Sequence, residues 1–415
     1  MKPKVAILSL GCPRNIVDSE NILGRLCRKG YSVVDMDKAQ VAIVNTCGFI
    51  EQAKRESIDA ILDLVELKKE GKLKKILVYG CLTQRYRDEL KRELPEVDAF
   101  IGKVSLNHSL ERFPITPRHY AYLKICEGCV NNCSYCIIPR IKGRFISLDT
   151  DSVLKRAQSF NRQRISELNI VGQDITGYGI DLCGKFALSA LLKKVLKVTG
   201  KIGWIRLLYL NPCRIDNALL KLVRDEPRIC KYMDIPVQHI NERILKAMNR
   251  KTAKKDILKT IGKVRKNIPG VALRTSVIVG FPSETDKEFK ELLSFIEETK
   301  FERLGAFIYS REEGTPAYHL KGQIPQKVKE ERFNQVMQLQ QEISRELNAR
   351  LLGKTLRVMV EEKEEGAYFG RSEYDAPEVD GMVYINSRQN FSPGDFVRVR
   401  VTDTLEYDLV GEVTS

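Results

Sequence analysis

Four cysteines stand within eleven positions of the stretch KICEGCVNNCSYCIIPR, residues 124–140: Cys126, Cys129, Cys133 and Cys136. Four thiolates can close a metal site completely, whereas three can hold an iron–sulfur cluster and leave one iron open for chemistry. Zinc ribbons pair two Cys-x2-Cys knuckles across about 15–20 residues, but here only three residues separate the knuckles. The bacterial ferredoxin run has a different order of gaps. Counted from Cys129, the frame is C-x3-C-x2-C, with Tyr135 directly before the last cysteine. Cys126 closes the apolar run AYLKIC and reads as a buried thiol at a strand end.

A second set is scattered. Cys12, Cys47 and Cys81 each follow an apolar run: VAILSLGC, VAIVNTC and KILVYGC. Short apolar runs bounded by turn residues read as buried strands. Helical stretches between them, ending near Gly30 and Gly71, argue for a parallel sheet. In such a sheet all C-terminal strand ends share one edge, where ligands bind. One strand-end cysteine is ordinarily a packing residue; three on three strands point to a shared metal site. Gly11, Gly48 and Gly80 flank these cysteines, as expected where backbone approaches a bulky ligand. Cys27, Cys183, Cys213 and Cys230 complete no motif and read as packing residues.

The loop at 126–136 needs its own scaffold. Six apolar runs follow from about residue 119: AYLKIC, ELNIVG, WIRLLY, YMDIP, ALRTSVIVG and LGAFIYS, with helical stretches between them. Spacing of about 30 residues is that of βα units. Six units are fewer than the eight of a closed barrel, so a partial barrel is expected, with its chemistry at the C-terminal strand ends. A polar helix over about 325–351 then connects to a tail of short alternating strands, a small antiparallel β-barrel.

The 415 residues are too many for one core. Three units are expected: 1–117, 118–347 and 348–415. No apolar run reaches the length of a membrane span, and VAILSL reads as a first strand, which places the protein in the cytoplasm. Eleven cysteines there suggest metal or catalytic thiols. The formal charge is +15, yet residues 348–415 hold 8 Lys/Arg and 13 Asp/Glu, a net of −5 that leaves +20 on the rest. A basic body favours a polyanion; an acidic tail suits a basic protein partner.

With both cysteine sets in view, the whole chain resembles the methylthiotransferase family of radical S-adenosylmethionine enzymes. The stretches LGCPRNIVDSE, NTCGFIEQAKRES, DIPVQHINERILKAMNR, AFIYSREEGTP and GRSEYDAPEVDG look like its RimO branch, which modifies an aspartate of small-subunit ribosomal protein twelve. The resemblance implies an N-terminal α/β domain, a partial barrel of six βα units and a C-terminal TRAM barrel. It implies that Cys129, Cys133 and Cys136 hold one 4Fe–4S cluster that binds S-adenosylmethionine, and that Cys12, Cys47 and Cys81 hold an auxiliary 4Fe–4S cluster carrying the sulfur to be transferred. Electron and sulfur donors are implied as well. The ribosomal protein would dock on the acidic TRAM module, with direct nucleic-acid binding less favoured. Cofactor contacts are expected from Tyr135, Gln173, Asp174, Arg274 and Gly280. Each has another reading: Tyr135 as a core aromatic, Gln173 and Asp174 as helix caps, Arg274 as a salt bridge, and Gly280 beside the start of a helix. Transfer RNA modification, and a non-enzymatic iron–sulfur redox or sensor protein, are the alternatives.

Overall fold

The computed structural model describes residues 2–102 and 112–414. The first unit is a five-stranded parallel sheet in the order Ser32–Val33, Lys4–Ser9, Val41–Thr46, Lys75–Gly80, Ala99–Ile101. Helices Pro13–Arg28, Glu51–Lys69 and Cys81–Glu93 follow three of these strands. The two edge strands are too short to announce themselves in the sequence. The third helix begins at Cys81 itself, two residues before the polar helical run at Thr83. Cys12 is the N-cap of the first helix, with Pro13 in the first turn, where its fixed φ and missing N–H do no harm.

The second unit has six parallel strands in two sheets of three: Tyr120–Lys124, Glu167–Val171 and Trp204–Leu207, then Tyr232–Asp234, Ala272–Val279 and Arg303–Ile308. A single bridge, Ile205 to Ile229, joins them. This is the expected partial barrel. Cys126 lies beyond the first barrel strand, in a two-residue strand Cys126–Glu127 that pairs antiparallel with Ile146–Ser147. Helix Gln326–Ala349 packs Val336 and Ile343 into the barrel core. No single helix among the described residues is long and apolar enough to cross a membrane.

The third unit is a closed barrel in the order Thr355–Glu364, Ala367–Ser372, Val383–Asn386, Leu409–Val413, Phe396–Thr404. All its pairs are antiparallel except Val383–Asn386 with Leu409–Val413, which is parallel. This unit seals the N-terminal mouth of the partial barrel. Met359, Ala376 and Phe396 meet Tyr120, Trp204 and Tyr232 in one apolar cluster, and the Trp204 and Phe396 rings meet edge-on at 4.8 Å. Fully burying one such large side chain contributes roughly 1.5–3 kcal/mol.

Ion pairs complete the seal. Glu167 accepts from Arg206 Nε at 2.7 Å and from Arg371 Nη2 at 2.5 Å. Asp375 takes Arg303, and Asp380 accepts from Arg274 Nε at 3.3 Å. Asp375 and Asp380 belong to the tail that reads as acidic, whereas Glu167 is a barrel residue. The exposed acids of the tail are Glu362, Glu364, Glu365, Glu378, Asp395, Asp403 and Glu412; the exposed bases are Arg350, Lys354, Arg357, Lys363, Arg388, Arg398 and Arg400. They balance. Two of the tail's less exposed acids, Asp375 and Asp380, pair with the barrel arginines Arg303 and Arg274.

Candidate two-cluster active site

Cys12, Cys47 and Cys81 stand at the C-terminal ends of neighbouring parallel strands and feel one another's charge. Burial pushes the Cys47 thiol up to about 12 and raises that of Cys81. Burial also pushes the Cys12 thiol up, but the Arg14 charge and hydrogen bond outweigh it and bring Cys12 below its ordinary value.

The flanking glycines serve a different purpose from the one expected. A Cβ on Gly11 would lie 2.9 Å from Cys47 Cβ, one on Gly48 would lie 2.7 Å from the Leu82 backbone, and one on Gly80 (φ +112°) would lie 2.6 Å from the Thr46 carbonyl. Each glycine lets one strand-end loop close on the next. The ligand edge is assembled by this mutual contact.

The other set sits on the loop after the first barrel strand. Distant segments pin that loop: Ser134 N donates to Met248 O at 2.9 Å, Ser134 Oγ to Ala247 O at 2.7 Å, and Asn249 Nδ2 to Asn132 O at 2.6 Å. Cys129, Cys133 and Cys136 also feel one another, and burial lifts Cys136 to about 12. Cys126 also feels the charge of Cys129, but its sulfur is tied elsewhere. It is fully buried, its Sγ donates to Asp174 O at 3.7 Å, and a Cβ on Gly172 would lie 2.4 Å from that sulfur. Its surroundings make it a packing thiol.

Both sets fit metal clusters. None of the cysteines is in a disulfide. Backbone N–H groups of Asn15, Phe49, Asn131 and Ile138 point at the sulfurs of Cys12, Cys47, Cys129 and Cys136 respectively. Such donors favour the thiolate form. Among the described residues no three His, Cys, Asp or Glu side chains converge closely enough to hold a single ion; ligands of a cubane spread over its corners.

The remaining expected residues divide. Asp174 caps the turn Ile175–Gly177 by accepting from Thr176 N at 3.1 Å. The same carboxylate accepts from Asn131 Nδ2 at 2.8 Å and pairs with Arg214. Asn131 in turn donates to Cys129 Sγ at 3.3 Å, so Asp174 steadies the loop. Gln173 Nε2 donates to Glu127 Oε1 at 3.0 Å, while its own Oε1 is buried without a partner. Tyr135 packs on Ile244, Met248, Phe281 and Tyr309. Arg274 lies between Asp234 and Asp380, at 3.4 and 3.3 Å, which fits its salt-bridge reading. Gly280 (φ +72°) leaves room for Lys329, whose Cγ would lie 2.4 Å from a Cβ there, so its close approach is to a helix of this chain. His239 bonds Glu284 at 3.2 Å in a fully buried network with Arg332.

Sequence reasoning missed Arg14, Asn131, Tyr209, Arg214 and Arg250. Arg14 Nε donates to Cys12 Sγ at 3.2 Å, its Nη1 donates to Gly172 O at 3.1 Å, and its guanidinium lies 4.6 Å from the Tyr209 ring centroid. It therefore bridges the first unit and the barrel. Arg250 Nη2 donates to Pro236 O at 2.6 Å beside Cys133. The only signal for Arg14 and Asn131 was adjacency to cysteines; nothing local marked the others.

Three sequence comparisons bear on this geometry. Residues 4–102 match the Uncharacterized protein family UPF0004, residues 123–296 the Radical SAM superfamily, and residues 352–414 the TRAM domain. A ribosomal protein uS12 methylthiotransferase RimO from Clostridioides difficile (strain 630) is 47% identical over 99% of this chain and 98% of that protein. The chain belongs to the RimO methylthiotransferase family. Another RimO, from Geotalea uraniireducens (strain Rf4), is 45% identical over 100% of this chain and 99% of its own length. Among solved structures, the radical S-adenosylmethionine methyltransferase TsrM from Kitasatospora setae, with cobalamin and a 4Fe–4S cluster bound, superposes with a TM-score of 0.54. It covers 76% of this chain and 74% of that one at 13% identity, a likeness of fold alone. The two thiol sets of this RimO family member lie in separately matched segments.

Proposed function

We propose that this chain is a radical S-adenosylmethionine methylthiotransferase that places a methylthio group on the β-carbon of an aspartate in small-subunit ribosomal protein twelve. The observation that carries the reading is the pairing of two three-thiol sets across one domain interface, in a chain alike in full length to RimO proteins. Cys129, Cys133 and Cys136 would hold the 4Fe–4S cluster that receives S-adenosylmethionine; Cys12, Cys47 and Cys81 would hold the auxiliary one. When bound, these groups supply one-electron cleavage chemistry and a transferable sulfur. An electron donor and a sulfur donor are required partners, and the cytoplasm is the compartment the reading assigns. Its units are 1–117, 118–347 and 348–415.

The chain's own residues bind and orient. Asn131, Asp174 and Arg214 hold the loop of the first set in one conformation. Asp18, Glu127, Lys124 and Lys142 form a buried, charge-balanced group under both sets, with Lys124 Nζ 2.7 Å and Lys142 Nζ 3.1 Å from Glu127. Such a group fixes the two domains in register without adding net charge. The sealed N-terminal mouth excludes water from below, which a radical reaction requires.

The basic body keeps transfer RNA as the second reading. Reconstituted enzyme is incubated with S-adenosylmethionine, reductant and sulfide, and separately with recombinant ribosomal protein twelve or with transfer RNA. Mass spectrometry is expected to find one methylthio-for-hydrogen gain on an aspartate of the protein. A gain confined to RNA nucleosides would overturn the reading.

A further inference from the structure

The target aspartate carries its carboxylate one bond from the carbon to be modified. That carbon has to reach the space between the two thiol sets, so the carboxylate enters the same space. A carboxylate taken out of water is strongly disfavoured unless it is paired. The site therefore needs a cation that its own acids have not already neutralised.

Five cations border this space. Lys124 and Lys142 both face Asp18 and Glu127. Arg214 pairs with Asp174 and donates to Asn131 Oδ1 at 2.7 Å. Arg250 lies beside Cys133 and Tyr135, against the first set only. Arg14 also touches both halves, through Cys12 Sγ and Gly172 O. No carboxylate of the described residues lies within ion-pair distance of it, and its Nη2 has no hydrogen-bond partner. The guanidinium is held flat against Tyr209, which keeps a left-handed φ of +66°. A non-glycine residue persists in that conformation only when its surroundings hold it; Tyr209 N donates to Asp234 at 2.9 Å and its carbonyl accepts from Ile175 N at 3.2 Å. The Arg14 guanidinium is thus held in place by Cys12, Gly172 and Tyr209, with Nη2 left for a further acceptor. Arginine pairs carboxylates side-on through two parallel N–H groups.

The geometry points to Arg14 as the residue that anchors the carboxylate of the target aspartate and so selects an acidic side chain over a neutral one. This rests on the aspartate reading given above. A purely structural Arg14 would need only its Nε and Nη1 bonds, and its loss would weaken the binding of acidic and neutral targets alike.

The test measures binding of labelled recombinant ribosomal protein twelve, and of the same protein with its target aspartate changed to asparagine, to cluster-loaded enzyme without reductant. Wild type is expected to bind the aspartate form more tightly by about 10- to 100-fold, the value of one charge-assisted hydrogen-bonded pair. Arg14→Gln removes that preference at unchanged iron content, and Arg14→Lys restores part of it. A preference that persists in Arg14→Gln overturns the assignment while leaving the function intact. Failure of the wild type to bind either form overturns both. Loss of iron in both Arg14→Gln and Arg14→Lys marks Arg14 as structural and also overturns the assignment.

Discussion

The two mouths of the partial barrel are built on opposite principles. At the N-terminal mouth, charges meet charges within the chain: Arg371 and Arg206 share Glu167, Arg303 holds Asp375, and Arg274 lies between Asp234 and Asp380. At the C-terminal mouth, buried thiols lie under donors, Gln173 keeps a buried oxygen without a partner, and Arg14 meets no carboxylate of the described residues. The N-terminal charges are paired within the chain, although Arg206 Nη2 is buried without a partner; polar groups left unpaired beside the thiols are available to a ligand. The difference separates the sealing charges from the functional ones, although both lie in the interior of the same barrel.

The comparison can be broken first at the open mouth. Replacing Cys129, Cys133 and Cys136 together by alanine should abolish turnover and lower the iron content from about eight to about four per chain, if each set holds a four-iron cluster. Retained iron with lost activity would mean that this set holds no cluster. Zinc in place of iron would remove the chemistry altogether.

The sealed mouth answers to stability instead. Glu167→Ala leaves Arg206 and Arg371 buried without their shared partner, and breaking a buried pair from one side costs about 3–5 kcal/mol. Thermal unfolding should therefore shift strongly downward while iron content per folded chain is kept. A shift as small as that of a surface variant would show that the seal is unimportant.

A smaller effect follows from Glu361. Burial pushes its carboxyl up, but hydrogen bonds from His119 and Arg371 outweigh burial and hold it at about 2. A depressed carboxyl contributes stability above its ordinary value of 4.5, and loses it as the pH falls toward 2. Limited proteolysis at the start of the C-terminal module should accelerate over that window, and a Glu361→Gln variant should show a flatter profile.

The smallest effect is expected at Cys126. Cys126→Ser should keep its iron and its activity, because the thiol packs under Gly172 and donates only to Asp174 O. Loss of the first cluster in this variant would show that the ligand triplet starts at Cys126.

Much of the scaffold was legible locally. Apolar runs ending in cysteine marked the strands of the first sheet, because a fully buried parallel strand has nothing but apolar residues to show. The six barrel strands were readable for the same reason, and Thr285 with Glu288 announces a helix start through a capping box. The two-residue strand at Cys126 was not legible, because its partner Ile146–Ser147 lies twenty positions away and carries no alternation.

The sequence alone determined which atoms can do the chemistry. Spacing within one loop, and position at the ends of strands, are local properties, and they single out six cysteines of eleven. Charges are different, because their meaning depends on what lies opposite. The tail reads as acidic, yet folding places Asp375 and Asp380 against barrel arginines and leaves its exposed charges balanced. Arg274 reads either as a cofactor contact or as a salt bridge, and folding gives it Asp234 and Asp380 as partners. Arg14 reads as one more basic residue, and only the meeting of two domains gives it Cys12 on one side and Gly172 on the other. Arg206 and Arg371 reach their shared Glu167 across 39 and 204 residues of chain, so the tertiary structure decides such partners.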